Sequence, residues 1–209
     1  MSRRLSHSEF IHCFTDGVGE IVKNLYSIEG EMGRFEVQVH KNPEDAHVSP
    51  ESAFENALIP ASGTLRAVVG IVGNLANCIN DMETPSHYPA VVRSSWMMCL
   101  AGIVDMATGV EAGLIRVKEE RSFDKYADET AALVELMTKA QHACAELSRN
   151  VQLSTAEATP HSEIVVKLCQ EFLQDARRLR LLPEVDTRSR EETKDMVLKM
   201  AAVIRSGDC

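Results

Sequence analysis

The chain has 209 residues, 44 % of them hydrophobic, and a net charge of −9. That length can bury a sizeable core as one elongated domain or as two small bundles that share an element, and no linker divides independent domains. The acidic balance argues against nucleic acid or an anionic membrane as principal partner, because phosphate binding needs concentrated Lys and Arg. Arg177, Arg178, Arg180, Arg188 and Arg190 lie close together, but Glu184, Asp186, Glu191 and Glu192 balance them as solvated charges.

Six cysteines, Cys13, Cys78, Cys99, Cys144, Cys169 and Cys209, are far apart and never form a CxxC pair. Five sit within apolar helical stripes, which predicts free buried thiols in a reducing compartment rather than a disulfide framework. No apolar run follows Arg3 and Arg4, so no signal peptide is expected, and no stretch reads as a membrane span. A protein in the cytoplasm, or held at a membrane through something else without insertion, is expected.

Ser6 and Glu9 stand in capping-box spacing and open the first predicted helix. Its stripe is Ile11, Phe14, Val18, Ile21, Val22, Leu25 and Ile28, ending near Gly30 and Gly33. Residues 31–51 then break the pattern with Gly33, Pro43 and Pro50 and read as a long irregular connection, in which Val37 and Val39 alternate as a short strand would. Ser52 and Glu55 repeat the capping spacing, but Pro60 interrupts, so a short helical lead precedes a main helix over 62–81. Its face is Leu65, Val68, Val69, Val72, Leu75, Ile79 and Met82, and Gly70 and Gly73 predict a neighbouring helix at close approach.

The stretch from Pro89 to Lys118 organises the rest. Val92, Trp96, Leu100, Ile103, Val110, Leu114 and Val117 recur at helical spacing, and thirty residues span roughly 45 Å. Around Trp96 to Val104 the surface is apolar nearly all round, which predicts burial on several sides. After a break at Ser122 to Lys125, a helix runs to about Val151 through Leu133, Leu136, Met137, Ala140, Cys144 and Leu147. Thr159 and Pro160 predict the next start, with Ile164, Leu168, Phe172, Ala176 and Leu179 leading to Pro183. A last helix begins at Ser189, with Glu192 in capping-box spacing, and carries Met196, Val197, Met200, Val203 and Ile204. The expectation is an all-α fold of about six helices in up-and-down bundles that share one long central helix.

Chemistry is sparse. His7, His12, His40, His47, His87, His142 and His161 form no HExxH motif, and no ExxH pair on two helices supports a di-iron centre. His142 and Cys144 are two apart and face different ways on a helix. Gly70 and Gly73 follow no strand and precede no lysine, so they make a poor phosphate loop. No catalytic residue, metal ligand or cofactor is expected.

Taken together, EFIHCFTDGVGEIVKNLYSI, TLRAVVGIVGNLANCINDM, AVVRSSWMMCLAGIVDMATGVEAGLI and LRLLPEVDTRSREETKDMVLKMAAVI resemble the N-terminal head region of the vinculin and α-catenin family. The third segment is the closest, similar to the family's long shared helix. The resemblance covers about residues 6–205 and implies two four-helix bundles end to end, here an N-terminal bundle over 6–104 and a C-terminal one over 105–206. It implies a cell-adhesion and cytoskeletal adaptor, not an enzyme, whose partner is an amphipathic helix of a talin-like or catenin-like protein. Two departures matter. Residues 31–51 stand where the family has an extra helix, and the chain stops at Cys209, short of the actin-binding bundle, so the resemblance does not carry direct actin filament binding over to this chain.

An irregular 31–51 stretch would leave a three-helix half-bundle with an apolar groove, which an incoming helix could complete. The groove is expected to use Ile11, Phe14, Val18, Ile21 and Leu25 from the first helix and Leu65, Val68 and Val72 from the second. The plain alternative is that these residues form a closed core. A competing class is a regulatory or chaperone-like homodimer whose incomplete bundles complete each other.

Overall fold

A computed structural model describes residues 4–40, 49–83 and 87–182, which form five helices: α1 His7–His40, α2 Pro50–Asn80, α3 Ala90–Glu120, α4 Phe123–Gln152 and α5 Thr155–Arg178. The class is all-α, and the described residues contain no strand, only an isolated bridge between Leu5 and Met82. The last predicted helix, from Ser189, lies outside the described residues.

Local chemistry explains the helix ends and corrects several expected ones. The capping box at Ser6 is present: Glu9 N–H donates to Ser6 Oγ at 3.4 Å and Ser6 N–H to Glu9 Oε2 at 3.0 Å. That helix continues past Gly30 and Gly33 to His40, so neither the irregular connection at 31–40 nor a strand at Val37 forms. Each glycine costs about 1 kcal/mol, but the buried Met32 and Phe35 prolong the core stripe, and Phe35 packs against Phe54 and Tyr126 at 5.5 and 5.4 Å between ring centroids.

In α2 the cap is Ser49, whose Oγ accepts from Ser52 N–H at 3.1 Å, and not Ser52. Pro60 does not break the helix. The carbonyl it orphans belongs to Asn56, and both residues are exposed, so water can satisfy it. The same reasoning moves the start of α5 four residues back from Thr159. Ser154 and Glu157 form its capping box, and Pro160 lies inside the helix with Ala156, the residue whose carbonyl it leaves unpaired, facing solvent.

The helices run up and down. Cys13 with Cys78, Glu55 with Lys118, Trp96 with Asn150, and His161 with Glu146 each pair the start of one helix with the end of another. Around the bundle the order is α1, α2, α3, α5, α4, with α4 returning to α1. Helix α3 therefore serves two neighbourhoods, α2 and α5, and between Ser95 and Val104 only Met98 is not fully buried. One continuous hydrophobic cluster runs from Phe10 to Ala176, and α4 packs along α1, helices that the family resemblance would put in separate bundles.

Of the two glycines expected at a close approach, Gly73 is buried and Gly70 is not at one. A Cβ on Gly70 would meet nothing within 4 Å, whereas one on Gly102 would lie 2.9 Å from Cys169 Sγ and one on Gly109 2.2 Å from the Leu181 carbonyl oxygen. Cys78, Cys99, Cys144 and Cys169 are buried as expected, but Cys13 is exposed, and Cys209 lies outside the described residues. Contrary to the sequence expectation, α2 and α3 are each long and apolar enough to cross a membrane, by length and composition; in the bundle much of that apolar surface faces the core, more so in α3 than in α2.

Candidate functional site

The residues expected to line a partner groove share one face. Phe14, Val18, Ile21, Leu25, Leu65, Val68 and Val72 are 0–1 % exposed, and only Ile11 is half-buried. The fourth position that a three-helix half-bundle would leave open is filled by α4, which packs along α1. Gln141 on α4 donates to Glu29 on α1 at 2.9 Å, and Tyr126 closes over Phe35 and Phe54. An incoming helix would reach these side chains only after α4 moved.

A furrow lies instead where α5 stops; Val110, Leu114, Tyr126 and Leu133 are buried in its floor and Val117 is half-buried. Helix α4 has 30 residues and the antiparallel α5 has 24, so α5 ends about 9 Å short of the α3–α4 turn. Val110, Gly113, Leu114 and Val117 on α3, and Tyr126 and Leu133 on α4, are left to line a furrow of about 280 Å³. Beyond Arg178 the chain turns through Arg180 at φ 55° and brings Leu181 over Gly109 and Gly113. Only glycine at 109 permits that crossing.

The furrow's rim carries Arg116, Lys125 and Arg180 against Glu120 and Glu129. Burial, aided by the Glu129 carboxylate, pushes the Tyr126 hydroxyl above its ordinary range. Helical spacing placed Val110, Leu114 and Val117 on one stripe, but not the shorter reach of α5 beside it.

The densest polar cluster sits at the other end of α3. Trp96 Nε1–H donates to Asn150 Oδ1 at 2.7 Å, and Asn150 Nδ2 donates to the Ala158 carbonyl at 2.9 Å and to His161 Nδ1 at 3.1 Å. With Nδ1 accepting, His161 carries its proton on Nε2 and donates to Glu146 Oε2 at 2.8 Å. The Tyr88 hydroxyl donates to the Val151 carbonyl at 2.9 Å, and Phe10, Phe14 and Tyr88 pack around the indole. Every polar atom of Asn150 is used in holding α3, α4 and α5 together, which makes this cluster a structural joint. Among the described residues no group of three His, Cys, Asp or Glu side chains could hold a metal ion.

No protein-family model, curated protein or solved structure matches this chain.

Proposed function

We propose that the protein is a non-enzymatic adaptor that docks an amphipathic helix of a partner protein in the furrow between α3 and α4. The observation that supports this reading is the furrow beyond the end of α5, where Val117, Leu179 and Leu181 are half-buried. From Val110 to Glu120 the furrow extends roughly 15 Å, enough for about three helical turns. Apolar anchors at i, i+3, i+4 and i+7 suit the half-buried Val117, Leu179 and Leu181 of the furrow. Three cations against two carboxylates on the rim favour a partner helix with a mildly acidic flank.

The resemblance to the vinculin and α-catenin head supplies the partner class: a talin-type or catenin-type helix, met in the cytoplasm at cell junctions or the cytoskeleton. The core residues of α1 and α2, from Ile11 to Val72, offer a second route for such a helix if α4 can be displaced. Fluorescence anisotropy with a labelled talin-type and a labelled catenin-type helix tests the reading. One helix should bind at micromolar or tighter concentration, and Val117→Glu, at a half-buried position, should weaken it at least tenfold while the far-UV spectrum stays unchanged. Binding that ignores Val117→Glu would remove the furrow from the account.

A further inference from the structure

We propose that Cys13 and Cys78 form a peroxide-sensitive oxidation site that closes a disulfide between α1 and α2. This inference stands apart from the helix-docking reading. The two sulfurs lie 2.9 Å apart, inside the roughly 3.5–4.0 Å at which non-bonded heavy atoms ordinarily rest. Their helices are held in register beside them: Leu5 N–H donates to the Asp81 carbonyl at 2.8 Å and Glu83 N–H to the Leu5 carbonyl at 2.9 Å, tying the entry of α1 to the exit of α2. The bond can therefore form without either helix leaving its place.

Access divides the roles. Cys13 is exposed and meets the oxidant, whereas Cys78 is buried behind it. Burial, then the hydrogen bond to Cys13, pushes the Cys78 thiol up to about 12, so it stays protonated until it resolves the first oxidation product. The chemistry balances with hydrogen peroxide as oxidant. The Cys13 sulfur, its proton released, attacks one peroxide oxygen; the O–O bond breaks, Cys13 becomes a sulfenic acid, and hydroxide takes up the released proton as water. The Cys78 sulfur then attacks the Cys13 sulfur, the S–O bond breaks, and the departing hydroxide leaves with the Cys78 proton as a second water. Two thiols are oxidised to one disulfide and one peroxide is reduced to two waters. Cys99, Cys144 and Cys169 are buried out of reach.

The consequence is a covalent clamp on the α1–α2 seam over Phe10 and Phe14. Treatment of the reduced full-length chain with hydrogen peroxide, followed by thiol counting in denaturant and peptide mapping, tests it. Of the six thiols, two should be lost, with a Cys13–Cys78 cross-linked peptide in a monomeric chain and full recovery after dithiothreitol. In Cys78→Ser the sulfenic acid on Cys13 should persist and react with dimedone. The proposal is overturned if Cys13 goes on to sulfinic acid while Cys78 stays free, if the cross-link joins Cys13 to Cys209 or to a second chain, or if no thiol is lost.

Discussion

Replacing Asn150 with leucine keeps the side-chain size but removes three hydrogen bonds from a fully buried position. The Trp96 indole N–H, in a residue 0 % exposed, loses its partner, while the Ala158 carbonyl keeps its helical bond from Ser162 N–H. His161, whose side chain is 11 % exposed, can turn to water. An orphaned buried group costs about 1–3 kcal/mol, so the indole alone predicts a loss of about 1–3 kcal/mol, a sizeable share of the roughly 5–15 kcal/mol that stabilises a domain. Urea unfolding followed by circular dichroism and by emission from Trp96, the sole tryptophan, measures it. The slope with denaturant should hold while the midpoint falls. Trp96→Phe removes the donor instead, and the double variant should be less destabilised than the sum of the singles by about 0.5–3 kcal/mol. Additive losses, or an Asn150→Leu effect below about 0.5 kcal/mol, would show that the joint does not hold the three helices together.

Glycine substitutions should divide by what they meet. Gly102→Ala, against Cys169, and Gly109→Ala, against the Leu181 carbonyl, should each destabilise by about 1–3 kcal/mol, while Gly70→Ala should stabilise by up to about 1 kcal/mol; thermal melts separate the signs. Stability should fall in alkali. Burial raises Tyr88 from 10 to about 12 and Cys144 from 9 to about 12, so between those values the unfolded chain has released protons that the folded chain retains. Urea midpoints should hold up to about pH 9 and decline toward pH 12, and a flat profile would contradict the burial of these groups. The oxidised Cys13–Cys78 form, closing a loop of 65 residues, should be more stable than the reduced one by about 4 kcal/mol on the chain-entropy account, read as a midpoint shift that dithiothreitol reverses.

Much of this fold was legible in the sequence because its core repeats at helical spacing. Phe14, Val18, Ile21 and Leu25 are buried where their period put them, and the all-round apolar surface from Trp96 to Val104 correctly marked the most enclosed helix. Punctuation misled where tertiary packing outweighed it. Gly30 and Gly33 read as a stop, yet Met32 and Phe35 find Phe54 and Tyr126 across the bundle. Pro60 and Pro160 read as boundaries, yet each orphans a carbonyl on the solvent side of its helix. The furrow was illegible for a related reason. It depends on α5 starting at Thr155 and ending six residues' length short of α4, and a start at Thr159 hides that offset. Nothing local pairs Trp96 with Asn150, 54 residues away, or Cys13 with Cys78.

The central claim is that a partner helix docks in the furrow beyond α5. Methyl NMR of the full chain during titration with the tighter-binding of the two helices tests it most directly. Shifts should concentrate at the half-buried Val117, Leu179 and Leu181 of the furrow, with Val18, Leu65, Val68 and Val72 unmoved inside the bundle. Shifts centred on those interior residues of α1 and α2 would mean that the helix enters by displacing α4, and would contradict the furrow.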